Sequence, residues 1–305
     1  MKRRYNRVES FNGVIIETTG LADPAPVVQT FFMDEEIQKK YRLDSVITVT
    51  DAKYIIERLD EVKPEGVENE AEEQVAFADK IILNKIDLAN ETELQNIEKR
   101  LRQLNPTAPI LRTQQSAIEP KELLNIQAFE LSRVLEFDPE FLSSDQEHMH
   151  DSTVTSVPCK VEGEFNIEML SRWIQRLITE ETLFRYKGVL AVKGKDEKFV
   201  FQGVGMLFTG AFEGKWKKDE KRTSRFIFIG KNLDKEFIQV GFNACLVTEK
   251  LRFPVGTAVE ANCGDFQKGK IVKHWDDGNA YRIRLANGNE VWAPVDIDNY
   301  VRAAS

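Results

Sequence analysis

An apolar run, Lys80-Ile81-Ile82-Leu83, delivers the polar tetrapeptide Asn84-Lys85-Ile86-Asp87 to the end of a predicted strand. Helical periodicity resumes directly after it. Leu94, Ile97, Leu101 and Leu104 recur every three or four residues, which marks an amphipathic helix over Glu91–Leu104. The rest of residues 11–130 repeats this alternation. Val14-Ile15-Ile16 reads as a buried strand, and Pro24–Phe32 as a helix with Asp23 as N-cap and Pro24 at its first position. A strand is expected within Leu43–Val49, helices over about 52–61 and Glu68–Ala78, a short strand at Pro109-Ile110-Leu111 and a last helix over Lys121–Phe129. Such alternation predicts an α/β fold, a parallel sheet covered by helices on both faces. Ligands of these sheets sit beyond the carboxyl ends of the strands, where Glu17 and Asn84 are read to lie.

The pattern changes after a polar, turn-rich stretch, Ser143–Ser152, which reads as a linker between a first unit (1–142) and a second (153–250). The second unit offers a strand over Thr153–Val161, a helix over Asn166–Ile178 and strands over Phe184–Val192, Lys198–Thr209 and Arg225–Ile229. A helix near 234–242 completes an α+β layout. From Phe253 on, short alternating strands are punctuated by Gly256, Gly264, Gly269, Asp277-Gly278 and Asn287-Gly288. That spacing predicts a small closed β-barrel over 253–303, SH3-like or Tudor-like in pattern.

A chain of 305 residues has room for two or three domains with real cores. Its net charge of −8 argues against nucleic acid as partner, and no apolar run approaches the ~20 residues of a membrane helix. The basic start (Lys2, Arg3, Arg4, Arg7) lacks the apolar stretch of a signal peptide. Cys159, Cys245 and Cys263 are far apart and form no C-x-x-C pair, so they read as small buried side chains in a reduced, cytoplasmic protein.

The chemistry is sharpest at Asp87. A carboxylate there can accept from both the ring N1–H and the exocyclic amine of guanine. Adenine presents an acceptor in place of the first and lacks the second. Asn84 can meet the other edge of the base, and the stem of Lys85 can lie along its face. Glu17 can hold a water of Mg²⁺ or orient an attacking water, and Gly20 lets the backbone approach a terminal phosphate with no Cβ in the way.

In order along the chain stand Glu17-Thr18-Thr19-Gly20-Leu21-Ala22-Asp23-Pro24-Ala25-Pro26, Asp51, Glu73-Gln74-Val75-Ala76-Phe77-Ala78-Asp79 and Asn84-Lys85-Ile86-Asp87. This series is similar to the CobW-type metallochaperone GTPases. Arg185-Tyr186-Lys187-Gly188-Val189-Leu190, Gln202-Gly203-Val204-Gly205, Trp216 and Phe228-Ile229-Gly230-Lys231-Asn232-Leu233-Asp234 resemble that family's C-terminal domain. The resemblance covers about residues 11–247. It implies a P-loop NTPase sheet, GTP and Mg²⁺ as cofactors, and delivery of a metal, Zn²⁺ in the best-known branch, to metalloprotein clients. It also implies Asn84, Lys85 and Asp87 as guanine-binding, and Glu17 and Gly20 as the residues at the phosphates. Arg112-Thr113-Gln114-Gln115-Ser116 can add backbone contacts to the base.

Two family motifs have no counterpart here. A G-x-x-x-x-G-K-[ST] phosphate loop is absent before Phe11. The near miss Gly264–Ile271 puts Ile271 where a Mg²⁺-binding hydroxyl belongs. No C-x-C-C metal motif occurs, so no zinc ligand is assigned. The first unit is thus expected to be a partial P-loop GTPase domain, poorly active or inactive by itself. A fragment of a complete enzyme, a short form that retains only binding surfaces, and one half of a split enzyme all fit. The rival function is a non-enzymatic protein-binding module with a vestigial GTPase domain.

Three further features carry a sharp and a plain reading. His148-Met149-His150 among acidic residues is a labile metal site or a solvated connector. Trp216 with Lys217, Lys218, Lys221, Arg222 and Arg225 is an anion-facing patch or an exposed hairpin. Trp275, Tyr281, Trp292 and Tyr300 near Asp276 and Asp277 form an aromatic cage or pack the last unit.

Overall fold

The computed structural model describes residues 12–20, 22–63, 69–130, 153–247 and 250–304. The linker stretch and the His148–His150 pair therefore lie outside the described residues.

Three strands form a parallel sheet in the order β1 (Ile47–Asp51), β2 (Lys80–Asn84), β3 (Ile110–Arg112). Around it run α1 (Ala25–Met33), α2 (Glu35–Gln38), α3 (Ile55–Leu59), α4 (Glu70–Phe77) and α5 (Glu91–Leu104). The α5 boundaries follow from its capping. Asn90 accepts from Glu93 N–H while the Glu93 carboxylate accepts from Asn90 N–H. Its apolar stripe of Leu94, Ile97, Leu101 and Leu104 is buried. At the other end of the unit, Asp23 Oδ1 accepts the Ala25 N–H at 2.8 Å and helps start α1.

Two expected elements of this unit do not form. Val14, Ile15 and Ile16 are 60%, 81% and 53% exposed and belong to no strand, so Glu17 does not close one. A strand exists only through a ladder, and no described strand pairs with these residues. Lys121–Phe129 is not a helix beyond a single 3₁₀ turn at Pro120–Glu122. Asp44 prevents it, because its carboxylate accepts the N–H groups of Ile126 and Gln127 and its carbonyl accepts Ala128 N–H. Asn125 and Gln127 take positive φ to meet it.

The second unit is a five-stranded antiparallel sheet in the order β4 (Val154–Glu162), β8 (Thr223–Lys231), β5 (Thr182–Ala191), β6 (Glu197–Val204), β7 (Leu207–Lys215). The single strand expected over Lys198–Thr209 is two, β6 and β7, because Gly205 at φ 56° turns the chain between them. Alternation of side chains divides this sheet's faces. Tyr186, Phe201, Phe226 and Phe228 point one way into an aromatic core, closed by α6 (Ile167–Glu180) and α7 (Lys235–Ala244). Phe184, Val204, Ile227 and Ile229 point the other way. They join the core of the first unit beside Val75, Phe77, Leu101 and Leu104.

The last unit is one antiparallel sheet in the order β12 (Glu290–Ala293), β11 (Asn279–Leu285), β10 (Phe266–Asp276), β9 (Ala258–Asn262), β13 (Val301–Ala303). Among the described residues no ladder joins β12 to β13, so the expected closed SH3-like or Tudor-like barrel is not formed. The sheet has its own core of Val259, Ile271, Tyr281, Ile283 and Val301. It rests on the second unit where Asn166 Nδ2 donates to Pro294 O at 2.9 Å. Gly194, at φ 80°, also meets it there, and a Cβ on that residue would fall 2.3 Å from the Trp275 carbonyl oxygen.

Candidate functional site at the rim of the parallel sheet

The carboxyl ends of β1, β2 and β3 lie side by side, with Asp51 paired to Asn84 and Leu83 to Arg112. Beyond them the chain stays tied. Ala52 N–H donates to Asn84 O at 2.9 Å, and Ile86 N–H to Thr113 O at 3.3 Å.

Asn84 is buried and largely occupied. Its Oδ1 accepts from Thr113 Oγ1 and from Ser116 N–H, each at 3.0 Å, and its Nδ2 donates to Ser116 Oγ at 2.9 Å. Both acceptor positions and one of two donors are thereby used inside the protein. Asn84 is a fastener of the 113–116 loop, where Gln115 and Ser116 take positive φ, and a single Nδ2 hydrogen remains for a base edge. Lys85 is left-handed at φ 60°, a conformation that costs about 1–3 kcal/mol for a side chain of this kind. The surroundings maintain it. Lys85 Nζ donates to Asp51 Oδ2 at 2.7 Å, and Leu88 N–H returns to Lys85 O at 3.0 Å.

The electrostatics of that pair run in opposite senses. Burial pushes the Asp51 carboxyl upward. The Lys85 hydrogen bond and backbone N–H groups of Lys53 and Tyr54 outweigh it and hold it below the usual carboxylate value. Asp51 in turn raises Lys85 above its ordinary value. A 3₁₀ turn at Ile86–Leu88 follows, in which Ile86 packs against the core while Asp87 is exposed. Asp87 is therefore presented to solvent from a turn whose two flanks are fixed.

Glu17 and Gly20 are exposed, and no hydrogen bond or ion pair among the described residues joins them to the Asn84–Asp87 turn. Gly20 is held elsewhere, by α4. Gln74 Nε2 donates to Gly20 O at 3.1 Å and to Ala22 O at 2.9 Å. Asp51 and Gln74 stood in the sequence only within the series that resembles the family, and Thr113 only within a stretch expected to offer backbone contacts to the base. Their side-chain bonds at this rim, to Lys85, to the Gly20 loop and to Asn84, carry no signal of spacing.

The remaining candidates do not assemble sites among the described residues. Lys221 pairs with Glu162, Arg222 with Glu164 and Asp196, and Lys198 with Glu220. Trp216 is itself buried with Lys198 over its ring, so it does not tip a surface patch. No aromatic cage assembles: Tyr281 is a core residue whose OH accepts Phe253 N–H, and Tyr300 packs under Arg172. Trp292 is half-exposed but covered by Arg282 and bonded through Nε1 to Asp276. Gly269–Ile271 lies within β10, with Ile271 buried, so the near-miss motif is no phosphate loop. Burial pushes the Cys159 and Cys245 thiols up to about 12. Cys263, expected to be buried, is exposed. Among the described residues no three His, Cys, Asp or Glu side chains converge as a metal site, and no helix is long and apolar enough to cross a membrane.

A parallel sheet with an Asn-Lys-x-Asp turn at its rim, backed by an antiparallel α+β sheet, defines a nucleotide-binding protein of two coupled units. Residues 1–112 match the family described as CobW/HypB/UreG, nucleotide-binding domain, and residues 154–246 match the cobalamin synthesis protein cobW C-terminal domain. The chain belongs to the CobW family. It is 33% identical over 236 residues to the zinc chaperone YjiA of Escherichia coli, spanning 76% of this chain and 70% of that protein. It is 27% identical to the zinc-regulated GTPase metalloprotein activator 1 of Saccharomyces cerevisiae, over 74% of this chain and 60% of that protein. The crystal structure of Zn(II)-bound YjiA GTPase from E. coli superposes with a TM-score of 0.69 at 30% identity, covering 81% of this chain and 75% of that one.

Proposed function

We propose that this chain carries the guanine-reading and client-facing parts of a GTP-dependent metallochaperone, with zinc as the cargo and metalloproteins as the clients. The observation that carries the reading is Asp87, an exposed carboxylate on a turn anchored by Asn84 on one side and by the Asp51–Lys85 pair on the other. A purine docking there meets two acceptor oxygens where guanine has two donors. Asn84 and Lys85 complete the pocket, the first with its remaining Nδ2 hydrogen and the second by rotating its stem over the ring.

Glu17 is the carboxylate offered to Mg²⁺, through water. Mg²⁺ is ordinarily held by one or two carboxylates together with substrate phosphates and water, so a single exposed Glu beside Gly20 fits the ion's needs. When bound, the ion would neutralise charge on the phosphates, while Gly20 admits the terminal phosphate close to the backbone. We assign no zinc ligand to this chain. Its residues include no Gly-rich phosphate loop, so its own GTP affinity is expected to be weak and its hydrolysis slow.

Competition between nucleotides, read by NMR titration so that weak binding is measurable, tests the assignment. The unmodified protein is expected to favour GTP over ATP. Asp87→Asn exchanges two acceptors for one acceptor and a donor, and should transfer preference to xanthosine triphosphate with about a hundredfold loss for GTP. Equal binding of GTP and ATP by the unmodified protein would refute it.

A further inference from the structure

Gln74 lies on α4, 54 residues from Gly20, and is tied at both its backbone and its side chain. Its carbonyl accepts Thr48 Oγ1 from β1 at 2.6 Å. Its Nε2 spends both hydrogens on Gly20 O and Ala22 O. Beside those carbonyls, Ala22 N–H donates to Thr19 O at 3.1 Å. The amide therefore fixes two carbonyls two residues apart, the first of them on an exposed residue, Gly20.

The platform behind Gln74 is rigid. Asn69 caps the start of α4 by accepting from Ala71 and Glu72 N–H. Asn105 closes its end, with Nδ2 donating to the carbonyls of Val75, Ala76 and Ala78. Phe77 packs on Phe184 of the second unit at 5.4 Å between ring centroids. Directly after the helix, Asp79 accepts Val46 N–H at the start of β1 and pairs with Arg185. A side chain on such a helix holds its partner in one place instead of following it.

We propose that Gln74 is a positioning residue. By holding the carbonyls of Gly20 and Ala22 it aims the Gly20 N–H at a terminal phosphate, and it thereby sets the preference for nucleoside triphosphate over diphosphate. This rests on the guanine-nucleotide reading above and deepens it. The two carbonyls can accept only from a donor, so the chemistry required at position 74 is N–H donation, not bulk or helix propensity.

The test has two arms, both on the complete protein. In the first, amide exchange is followed without nucleotide. Gln74→Ala and Gln74→Glu, neither of which can donate when the acid is ionised, should speed exchange at Ala22 about tenfold, while Gln74→Lys, which retains a donor, should stay near the unmodified rate. Unchanged exchange in Gln74→Ala overturns the anchoring. In the second arm, GTP and GDP dissociation constants are compared by NMR titration with Mg²⁺. The GTP-over-GDP ratio should fall about tenfold in Gln74→Ala and Gln74→Glu with GDP affinity unaltered, and Gln74→Lys should restore most of it. Equal weakening for both nucleotides overturns the positioning role, since a merely structural residue would act on both alike. A protein that binds neither nucleotide refutes the guanine reading, and the exchange arm still decides whether Gln74 holds the loop.

Discussion

Asp51 governs the rim through the groups that it holds. Its carboxylate sits at the end of β1, accepts Lys53 N–H at 2.9 Å, and holds Lys85 from across the strand register. The charged pair has a wide pH window. Asp51 is lowered in the folded protein, so its contribution is complete above the ordinary carboxylate value of 3.8 and fades only as pH falls through the lowered one. Lys85 is raised, so its contribution is complete below 10.5 and fades only above that. Between about 4 and 10 the turn should therefore be insensitive to pH, as followed by the Lys85 side-chain resonances. Asp51→Asn should return the Lys85 titration toward 10.5. It should also weaken guanine and adenine nucleotides alike by about three- to tenfold, because in the proposed pocket Lys85 lies on the ring face and not at its edge. An effect confined to guanine would contradict this.

Helices of similar length differ in how much of them is written locally. The α5 helix carries its start signal, its stripe and its end within its own residues, and its bounds could be read directly. Lys121–Phe129 carries comparable helix-forming residues but is claimed by Asp44, whose carboxylate and carbonyl take three of its N–H groups. Hydrogen bonds to a charged acceptor are worth about 1.5–3 kcal/mol, more than the propensity of one helical turn. Asn105 plays the converse part and secures a helix that is not its own. It is fully buried, and its Oδ1 also accepts the Thr107 and Ala108 N–H groups. Asn105→Leu keeps the branching at Cγ but strands several buried polar groups, and should lower unfolding stability by about 3 kcal/mol in denaturant titration. A loss below about 1 kcal/mol would mean that water replaces the amide.

At the scale of the molecule, the first two units share one hydrophobic core and one buried ion pair. The side chains of Arg185 and Asp79 are each 4% exposed, and the guanidinium lies over Phe129 at 4.2 Å. Gln202 Nε2 donates to Phe129 O on the same side. Removing one partner of a buried pair leaves an uncompensated charge, a loss of about 3–5 kcal/mol. Arg185→Ala should therefore destabilise by that order and split a single unfolding transition into two, since the pair joins units that each have further core of their own. One unshifted transition would show that the two sheets are held together without this ion pair.

Local residues determined much of this protein: the parallel alternation, the amphipathic helix after the rim turn, the Asn84–Asp87 box and the aromatic sheet behind it. Each depends on periodicity or on neighbours a few positions away, and such information is complete within a short stretch of chain. What the tertiary structure alone decided is which polar groups meet. It gave Asn84 to Thr113 and Ser116, Lys85 to Asp51, the Gly20 turn to Gln74, and Arg185 to Asp79. Among the described residues it also left Val14–Ile16 without a ladder, and the last sheet with no ladder closing it. These outcomes turn on partners tens of residues or more apart, where distance along the chain does not encode distance in space, and where a hydrogen bond or a strand exists only once its other half has been brought alongside.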